Sequence, residues 1–394
     1  MAIPDPIPSD RLTAGDFISD IDPDDLVYFL LNVGDGDTQL VLLPSENGGA
    51  RRALVVDVAT KGKLPDLLDA LAATPLLPPN PSLLPVVIGT HPHEDHIGGM
   101  AEFLERFGSL IGEYWEPGYY HPGAGYLTTM RALELQRNVQ HAQPTSGFTR
   151  FIGNVRVVVL SPAIGLRNKF DSYGIDINDA SIAVKIDFPA ARVEQRGPDR
   201  LYLRIRKTQA LILGADAQTL TWGHVMADFP HLDPSQSPIF KALRMALGAD
   251  PLRAQVFKLP HHASKHGVNL ELVEAIRPAL TLVSSVGGGG KYNFPHTVAQ
   301  ESVREALEAT TSNGTPHRPD HELGIHYTSA IDSTQRPLGS IAVVMSPTGR
   351  KRQLWRFLDD PDESIDLANA HLCQEPAGAG REGTDGSGED DGDR

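Results

Sequence analysis

Residues 90–100 read THPHEDHIGGM, placing three histidines and two carboxylates between His91 and His96, with two glycines just after. Such a run is poor core material, because buried charges are costly unless paired. It directly follows an apolar strand-like segment, VVIG at 86–89. On extended backbone His91 and His93 point to the same side. Asp95 and His96 come one and two positions past Glu94, where the chain turns toward a helix, and Gly98 and Gly99 permit close backbone approach there. The pattern can present two imidazoles to one divalent cation and a carboxylate plus an imidazole to a second. Two such cations about 3.5–4 Å apart activate water and clamp a leaving oxygen. A solvated histidine-rich loop explains neither the strand before the cluster nor the helix after it.

A dinuclear centre needs a bridging carboxylate and at least one further histidine. Both candidates follow apolar runs. TQALILGAD ends a strand at Asp216, and QVFKLPHHASKHG ends another at His261 and His262. The competing readings are an ordinary turn aspartate and a polar loop before a helix.

Apolar β-branched runs predict strands at Leu26–Val33, Thr38–Leu43, Ala53–Val58, Val86–Thr90, Val155–Leu160, Ser181–Phe188, Ala210–Leu213, Ala254–Leu259 and Leu280–Ser284. Short Gly/Asp/Asn-rich turns join the first three as antiparallel hairpins. Helical spacing fits Leu64–Ala73, Met100–Phe107, Tyr126–Val139, Pro238–Leu247, Leu270–Ile276 and Val298–Ala309. Strands mixed with helices favour a layered α/β or α+β body. There is no internal repeat and no linker within 25–360, which reads as one hydrolase domain. Residues 1–24, with Pro4, Pro6 and Pro8, read as an extended N-terminal arm.

Of the 394 residues 40% are hydrophobic, enough for a large core. The formal charge is −15. Residues 374–394, rich in Gly, Ser, Asp and Glu, account for −5 of it and read as a disordered acidic tail. The remaining −10 argues against tight non-specific binding to a polyanion. No run approaches the ~18 apolar residues of a spanning helix, and no signal-peptide pattern opens the chain. The single cysteine, Cys373, excludes an intramolecular disulfide and fits a reducing compartment, so a cytoplasmic protein without membrane association is expected.

The ordered set of motifs resembles the metallo-β-lactamase-fold hydrolases. It is most similar to the branch that includes the soluble domain of competence-type DNA-uptake proteins. The matching segments are LLNVGDGDTQLVLL (30–43), LVVDV (54–58), THPHEDHIGG (90–99), VLSP (159–162), NDASIAVKI (178–186), LILGAD (211–216) and LPHHASKHG (259–267). The resemblance implies an α+β fold, a four-layer αββα sandwich with its site at one edge of the two sheets. It also implies two divalent metal ions, Zn²⁺ foremost with Mn²⁺ as an alternative. His91 and His93 would hold the first, Asp95 and His96 the second, and Asp216 would bridge them. His262, with His261 as the alternative, would complete the second metal, and the other imidazole of that pair would contact the developing oxyanion. Ser264 matches a motif serine that orients phosphate, Asn178 matches a motif asparagine, and His296 is a candidate substrate contact. Asp37 and Asp57 would support the ligands from behind. Ala215 and Ala263 stand where the branch carries glycine, a change that preserves geometry if φ is negative. The branch's membrane channel is absent, so DNA transport does not carry over.

Other features have plainer readings. GGGG at 287–290 lacks the GK[ST] end of a phosphate loop and reads as a turn. Tyr114, Trp115, Tyr119 and Tyr120 suit packing better than pocket lining. Lys258 and Lys265 are either solvated or phosphate-attracting. RKRQLWR (350–356) fits one face of a late strand. The functional expectation is a metal-dependent hydrolase that attacks phosphoester or phosphodiester bonds with a metal-bound hydroxide. Its substrate would be a small molecule or a nucleic acid, with Asp95, His261 and His262 in the chemistry; protein partners are not legible. The competing readings are an ester, thioester or lactam hydrolase, and a binding module that keeps metal for stability.

Overall fold

The computed structural model describes residues 5–45, 48–79, 83–167, 176–190, 192–195, 201–204, 209–231, 250–309 and 318–374. Each of the nine expected strands forms, with ends shifted by a few residues at most. Among the described residues they join shorter strands in a ten-stranded and a seven-stranded sheet. The first sheet runs in the order Leu12–Ala14, His371–Cys373, Arg352–Arg356, Ile341–Met345, Leu26–Leu30, Thr38–Leu42, Ala53–Val58, Leu84–Ile88, Ile111–Trp115, Gln140–Ala142. The second runs Ile325–Tyr327, Leu280–Val283, Val256–Lys258, Gln209–Leu213, Ala183–Phe188, Val155–Ser161, Thr149–Ile152. Because Leu12–Ala14 pairs antiparallel with His371–Cys373, the first sheet extends past residues 25 and 360.

The architecture is a mixed α+β, four-layer αββα sandwich. Alternation along the strands explains it. Val27, Phe29 and Leu31 lie in one apolar cluster with Leu64, Leu67, Met100 and Phe103 of helices Lys63–Ala72 and Met100–Phe107. Tyr28 and Leu30 lie in the other cluster, shared with the second sheet. That sheet is covered in turn by Trp222, Val273 and Val303 of helices Thr219–Asp228, Leu270–Ile276 and Thr297–Ala309. Strands buried on both faces read as continuous apolar runs, which is how these segments look in the sequence.

Each sheet makes the same switch although the sequence shows no repeat. Ala53–Val58 pairs antiparallel with Thr38–Leu42 but parallel with Leu84–Ile88. Gln209–Leu213 pairs antiparallel with Ala183–Phe188 but parallel with Val256–Lys258. The crevice beyond the carboxyl ends at such a switch is a natural ligand site, because connecting loops diverge there.

One expected helix needs adjustment. The helix expected at Tyr126–Val139 spans Ala124–Leu135, and the chain then enters the strand Gln140–Ala142. The helix expected at Pro238–Leu247 lies outside the described residues, as do residues 375–394 of the expected tail.

The close approach expected at Gly98 and Gly99 is present. A Cβ on Gly99 would lie 2.3 Å from the Thr60 carbonyl oxygen, and one on Gly98 would lie 2.7 Å from that of Ala59. Backbone on both sides leaves nothing that can give. Gly99→Ala should therefore cost about 1–3 kcal/mol, the usual range for overpacking. Chemical denaturation of the metal-free protein measures this, and an unchanged midpoint would show that the loop shifts freely.

Candidate metal centre

The switch points bring the sequence motifs together from both sheets. The strand Leu84–Ile88 delivers Thr90, His91 and His93 just past its end. A short helix, Glu94–Ile97, capped at His93, carries Asp95 and His96. The strand Gln209–Leu213 delivers Asp216, and Val256–Lys258 leads into a 3-10 turn, Pro260–Ala263, with His261 and His262.

Asp216 lies between the histidines, and its two oxygens divide them. Oδ1 is 3.1 Å from His96 Nε2 and 3.8 Å from His262 Nε2, which is itself 3.8 Å from Asp95 Oδ2. Oδ2 is 3.7 Å from both His91 Nε2 and His261 Nε2, and His91 Nε2 is 3.1 Å from His93 Nδ1. Two groups thus have their nearest ligand atoms within 4.8 Å of one another: His91, His93 and Asp216, and Asp95, His96 and His262. His261 faces the Oδ2 side, whereas His262 faces the Oδ1 side.

The far nitrogens are tied down. Asp57 Oδ2 is 2.7 Å from His96 Nδ1, and Asp57 also accepts from the Thr90 backbone N–H at 2.8 Å and the Thr90 hydroxyl at 2.7 Å. A bulge between Thr38 and Gln39 and the partner strand leaves Asp57 unpaired at φ 61°, which turns its carboxylate toward these donors. His262 Nδ1 lies 3.0 Å from both the carbonyl and hydroxyl oxygens of Ser284. Such contacts fix which nitrogen is left to face a cation. Asp37, Asp57 and His96 form a third acidic group of similar size. Its carboxylates already accept from Lys258, Ser284 and Thr90, so it supports the ligands, as the sequence suggested.

The residues fit two divalent cations. His96 Nε2, His262 Nε2 and Asp216 Oδ1 are buried, converge on one space, and make no hydrogen bond. An unsatisfied buried polar atom costs about 1–3 kcal/mol, so three together need a partner. Imidazole nitrogen and carboxylate oxygen suit Zn²⁺ and related ions. Burial would raise the Asp216 carboxyl, but His96 and His262 outweigh it and hold it well below the usual carboxylate range. Burial alone would depress His96, yet Asp216 and Asp57 hold it well above the ordinary histidine value. His91 is pushed well down by burial, with His96 adding to the effect, which keeps its nitrogens free of a second proton.

The backbone that splits the histidine pair is strained. His261, His262 and Ala263 have φ of 50°, 52° and 61°, and Ala215 has φ 47°. This corrects the sequence-based expectation of negative φ at the two alanines. They occupy the left-handed conformation that glycine takes freely. An L-residue there costs roughly 1–2 kcal/mol, while the buried Ala263 methyl returns about 0.8 kcal/mol. Ala263→Gly should therefore leave metal content unchanged and stabilise the protein by no more than about 1 kcal/mol. Thermal melts beside elemental analysis check this; a clear loss of stability would show that the methyl packing dominates.

The remaining expected site residues lie around the His261 loop. Asn178, in the 3-10 turn Asn178–Ala180, places Nδ2 3.4 Å from His261 Nε2. Ser264 is buried and its hydroxyl accepts from the His266 N–H at 3.3 Å. His296 is engaged by the loop itself, its Nδ1 accepting from the Lys265 N–H at 3.0 Å. Lys258 is neither solvated nor available to a phosphate: it is fully buried and bonded to Asp37. Tyr114, Trp115 and Tyr119 pack inside, whereas Tyr120 is exposed. His121 has its ring centroid 6.5 Å from that of His93. Sequence reasoning missed Thr90, Ser284 and Phe294. The first two each stand just past the end of a parallel strand, a signal that was available; Phe294, which packs on both His261 and His262, had none.

Residues 48–171, which include the HxHxDH segment, match the family model described as the metallo-beta-lactamase superfamily. The matched stretch covers less than half of the chain. No curated protein matches it. Solved structures that resemble it include CmlA, a diiron beta-hydroxylase from Streptomyces venezuelae, at 12% identity over 78% of this chain and 53% of that one, TM-score 0.39. The metallo-beta-lactamase fold protein YhfI from Bacillus subtilis aligns at 11% identity over 77% and 96% of the two chains, TM-score 0.37. Human tRNase Z, short form, aligns at 11% identity over 66% and 92%, TM-score 0.33. The chain spans about half the length of the CmlA structures. Among the described residues no helix is long and apolar enough to cross a membrane.

Proposed function

We propose that this protein is a cytoplasmic, dinuclear metal-dependent hydrolase of phosphoester or phosphodiester bonds, from the branch that resembles the soluble domain of competence-type DNA-uptake proteins. The observation that carries the hydrolase reading is the division of ligands by Asp216: His91 and His93 toward one oxygen, His96, His262 and Asp95 toward the other. The phosphate preference rests on the ordered motifs. Two divalent cations, Zn²⁺ foremost, would be held by His91, His93 and Asp216 and by Asp95, His96 and His262, and would supply Lewis acidity that brings the pKa of water to about 7. The protein does the rest. Asp95, partly exposed, and Asp216, buried, orient the attacking water between them. His261 lies beside Asn178 at the edge of the cluster, with part of its ring open, and is placed to steady charge on a phosphoryl oxygen. Asp57 and Ser284 hold His96 and His262 in the orientation that binding requires. Ser264 supports the turn that carries the histidine pair, and His296 stands at its rim as a substrate contact. The substrate is a small molecule or a nucleic-acid phosphoester, with no membrane involved.

A panel of bis-p-nitrophenyl phosphate, a p-nitrophenyl ester, a thioester and a chromogenic lactam tests the reading on protein reconstituted with Zn²⁺ or Mn²⁺. Chelator-sensitive hydrolysis of the phosphodiester is expected. Turnover of the thioester or lactam alone would overturn the substrate class. No chelator-sensitive hydrolysis of any of them would leave a metal-stabilised binding module as the better account.

A further inference from the structure

The glycine turn and the loop after it build one wall of the site. Phe294 is buried, with its ring centroid 5.3 Å from that of His261 and 5.5 Å from that of His262. Tyr292 stacks on the outer side of this arrangement, 5.7 Å from Phe294 at an interplanar angle of 27°. One aromatic ring therefore separates Tyr292 from the imidazoles of the metal centre. Unlike Phe294, Tyr292 is 51% exposed. The Lys291 ammonium lies 4.7 Å from the Tyr292 ring centroid. The Tyr292 hydroxyl raises the pKa of this exposed ammonium.

The loop is held in shape from within and from both neighbours. Gly288 N–H donates to the Phe294 carbonyl at 2.7 Å, and Gly289 N–H donates to Asn293 Oδ1 at 3.1 Å. Val286 N–H donates to Asp35 Oδ1 at 3.0 Å, and His296 N–H donates to the Ala263 carbonyl at 3.0 Å. An exposed tyrosine on a mobile loop would say little. A tyrosine stacked on a ring that packs against the ligand histidines, on a loop bonded to the histidine turn, is a fixed platform at the mouth of the site.

We infer that Tyr292 and Lys291 form a base-stacking subsite, so that the substrate is a small nucleotide whose planar ring lies on Tyr292 while its phosphate reaches the cations. Every nucleobase offers a π-face, so stacking of this kind accepts any base. A base taking the face near Lys291 frees the ammonium for the phosphate. The acidic body disfavours a long polyanion, which points to a free mononucleotide or dinucleotide rather than nucleic acid. The inference deepens the phosphoesterase reading and rests on it for the position of the phosphate.

Binding rather than turnover tests it. Isothermal titration of the metal-loaded full chain with AMP, ribose 5-phosphate and a short oligodeoxyadenylate separates the contributions. AMP should bind roughly tenfold more tightly than ribose 5-phosphate, the scale of one base–aromatic stack. Tyr292→Ala should abolish that ratio and leave ribose 5-phosphate binding unchanged, and Tyr292→Phe should retain it. Lys291→Ala should weaken both ligands by a similar factor. The oligonucleotide should bind no better than AMP; tighter binding would overturn the small-nucleotide assignment. Equal affinity of wild type for AMP and ribose 5-phosphate, or a ratio that survives Tyr292→Ala, would overturn the subsite. If the ratio holds but no phosphoester is hydrolysed, the subsite stands and the hydrolase reading falls. If neither phosphate binds, both fall.

Discussion

Asp216→Asn should empty the centre while leaving the fold in place. The side chain is buried and its two oxygens face different histidines, so it is placed to bridge the two groups as proposed. Asparagine matches its volume but removes a negative charge where two cations would raise positive charge most. Removing an outer partner of a ligand typically costs 10–100-fold in metal affinity. Loss of the shared ligand should exceed that, and hydrolysis should fall at least as far. The mutant should keep a cooperative unfolding transition, because the change is nearly isosteric. Elemental analysis, circular dichroism and the phosphodiester assay measure the three effects. His262→Ala should behave like Asp216→Asn in metal content. His261→Ala should lower turnover more than metal content, if it serves the substrate as proposed. Full metal and full activity in Asp216→Asn would mean that it is an ordinary turn aspartate.

The largest effect on stability should come from Lys258→Met. Lys258 ends the strand Val256–Lys258, and both it and Asp37 are fully buried. Asp37 also accepts from the Ser284 hydroxyl at 2.5 Å, and Ser284 in turn holds His262. Burial would raise the Asp37 carboxyl, but Lys258, followed by His262 and His96, outweighs it and holds it below the ordinary value of 3.8. Methionine fills the space yet leaves that carboxylate without its ammonium. Breaking one side of a buried pair costs about 3–5 kcal/mol. Asp37 has a depressed pKa, so its contribution is present above the unfolded value and lost as pH falls through the folded one. The gap between wild type and Lys258→Met should therefore narrow in acid. Denaturant titrations at neutral and acidic pH check both statements; a loss under about 1 kcal/mol at neutral pH would show that water reaches Asp37.

The candidate ligands were legible because metal chemistry restricts residue type and spacing. His91 and His93 come within 3.1 Å of each other, although they lie in a bend beyond the strand rather than on the extended backbone expected, and Asp216 lies past a strand end as its apolar approach suggested. Gly98 and Gly99 were legible because only a missing Cβ allows the contact they make. What was not legible depends on packing between distant segments. Lys258 looks like a surface charge in FKLPHH and its partner Asp37 is 221 residues away. The left-handed turn at His261–Ala263 breaks the expectation that alanine avoids positive φ, and its two histidines face different oxygens of Asp216. The aromatic wall at Phe294 depends on a turn whose glycines signal only flexibility. Strands of three residues, such as Leu12–Ala14 and His371–Cys373, are too short to show periodicity, although they set the edge of the first sheet.

The metal stoichiometry of the intact chain tests the central claim most directly. Protein stripped with a chelator, reconstituted with Zn²⁺ or Mn²⁺ and freed of excess metal should contain about two ions per chain by elemental analysis, as its two ligand groups require. A folded, monodisperse preparation that takes up no metal would contradict the account.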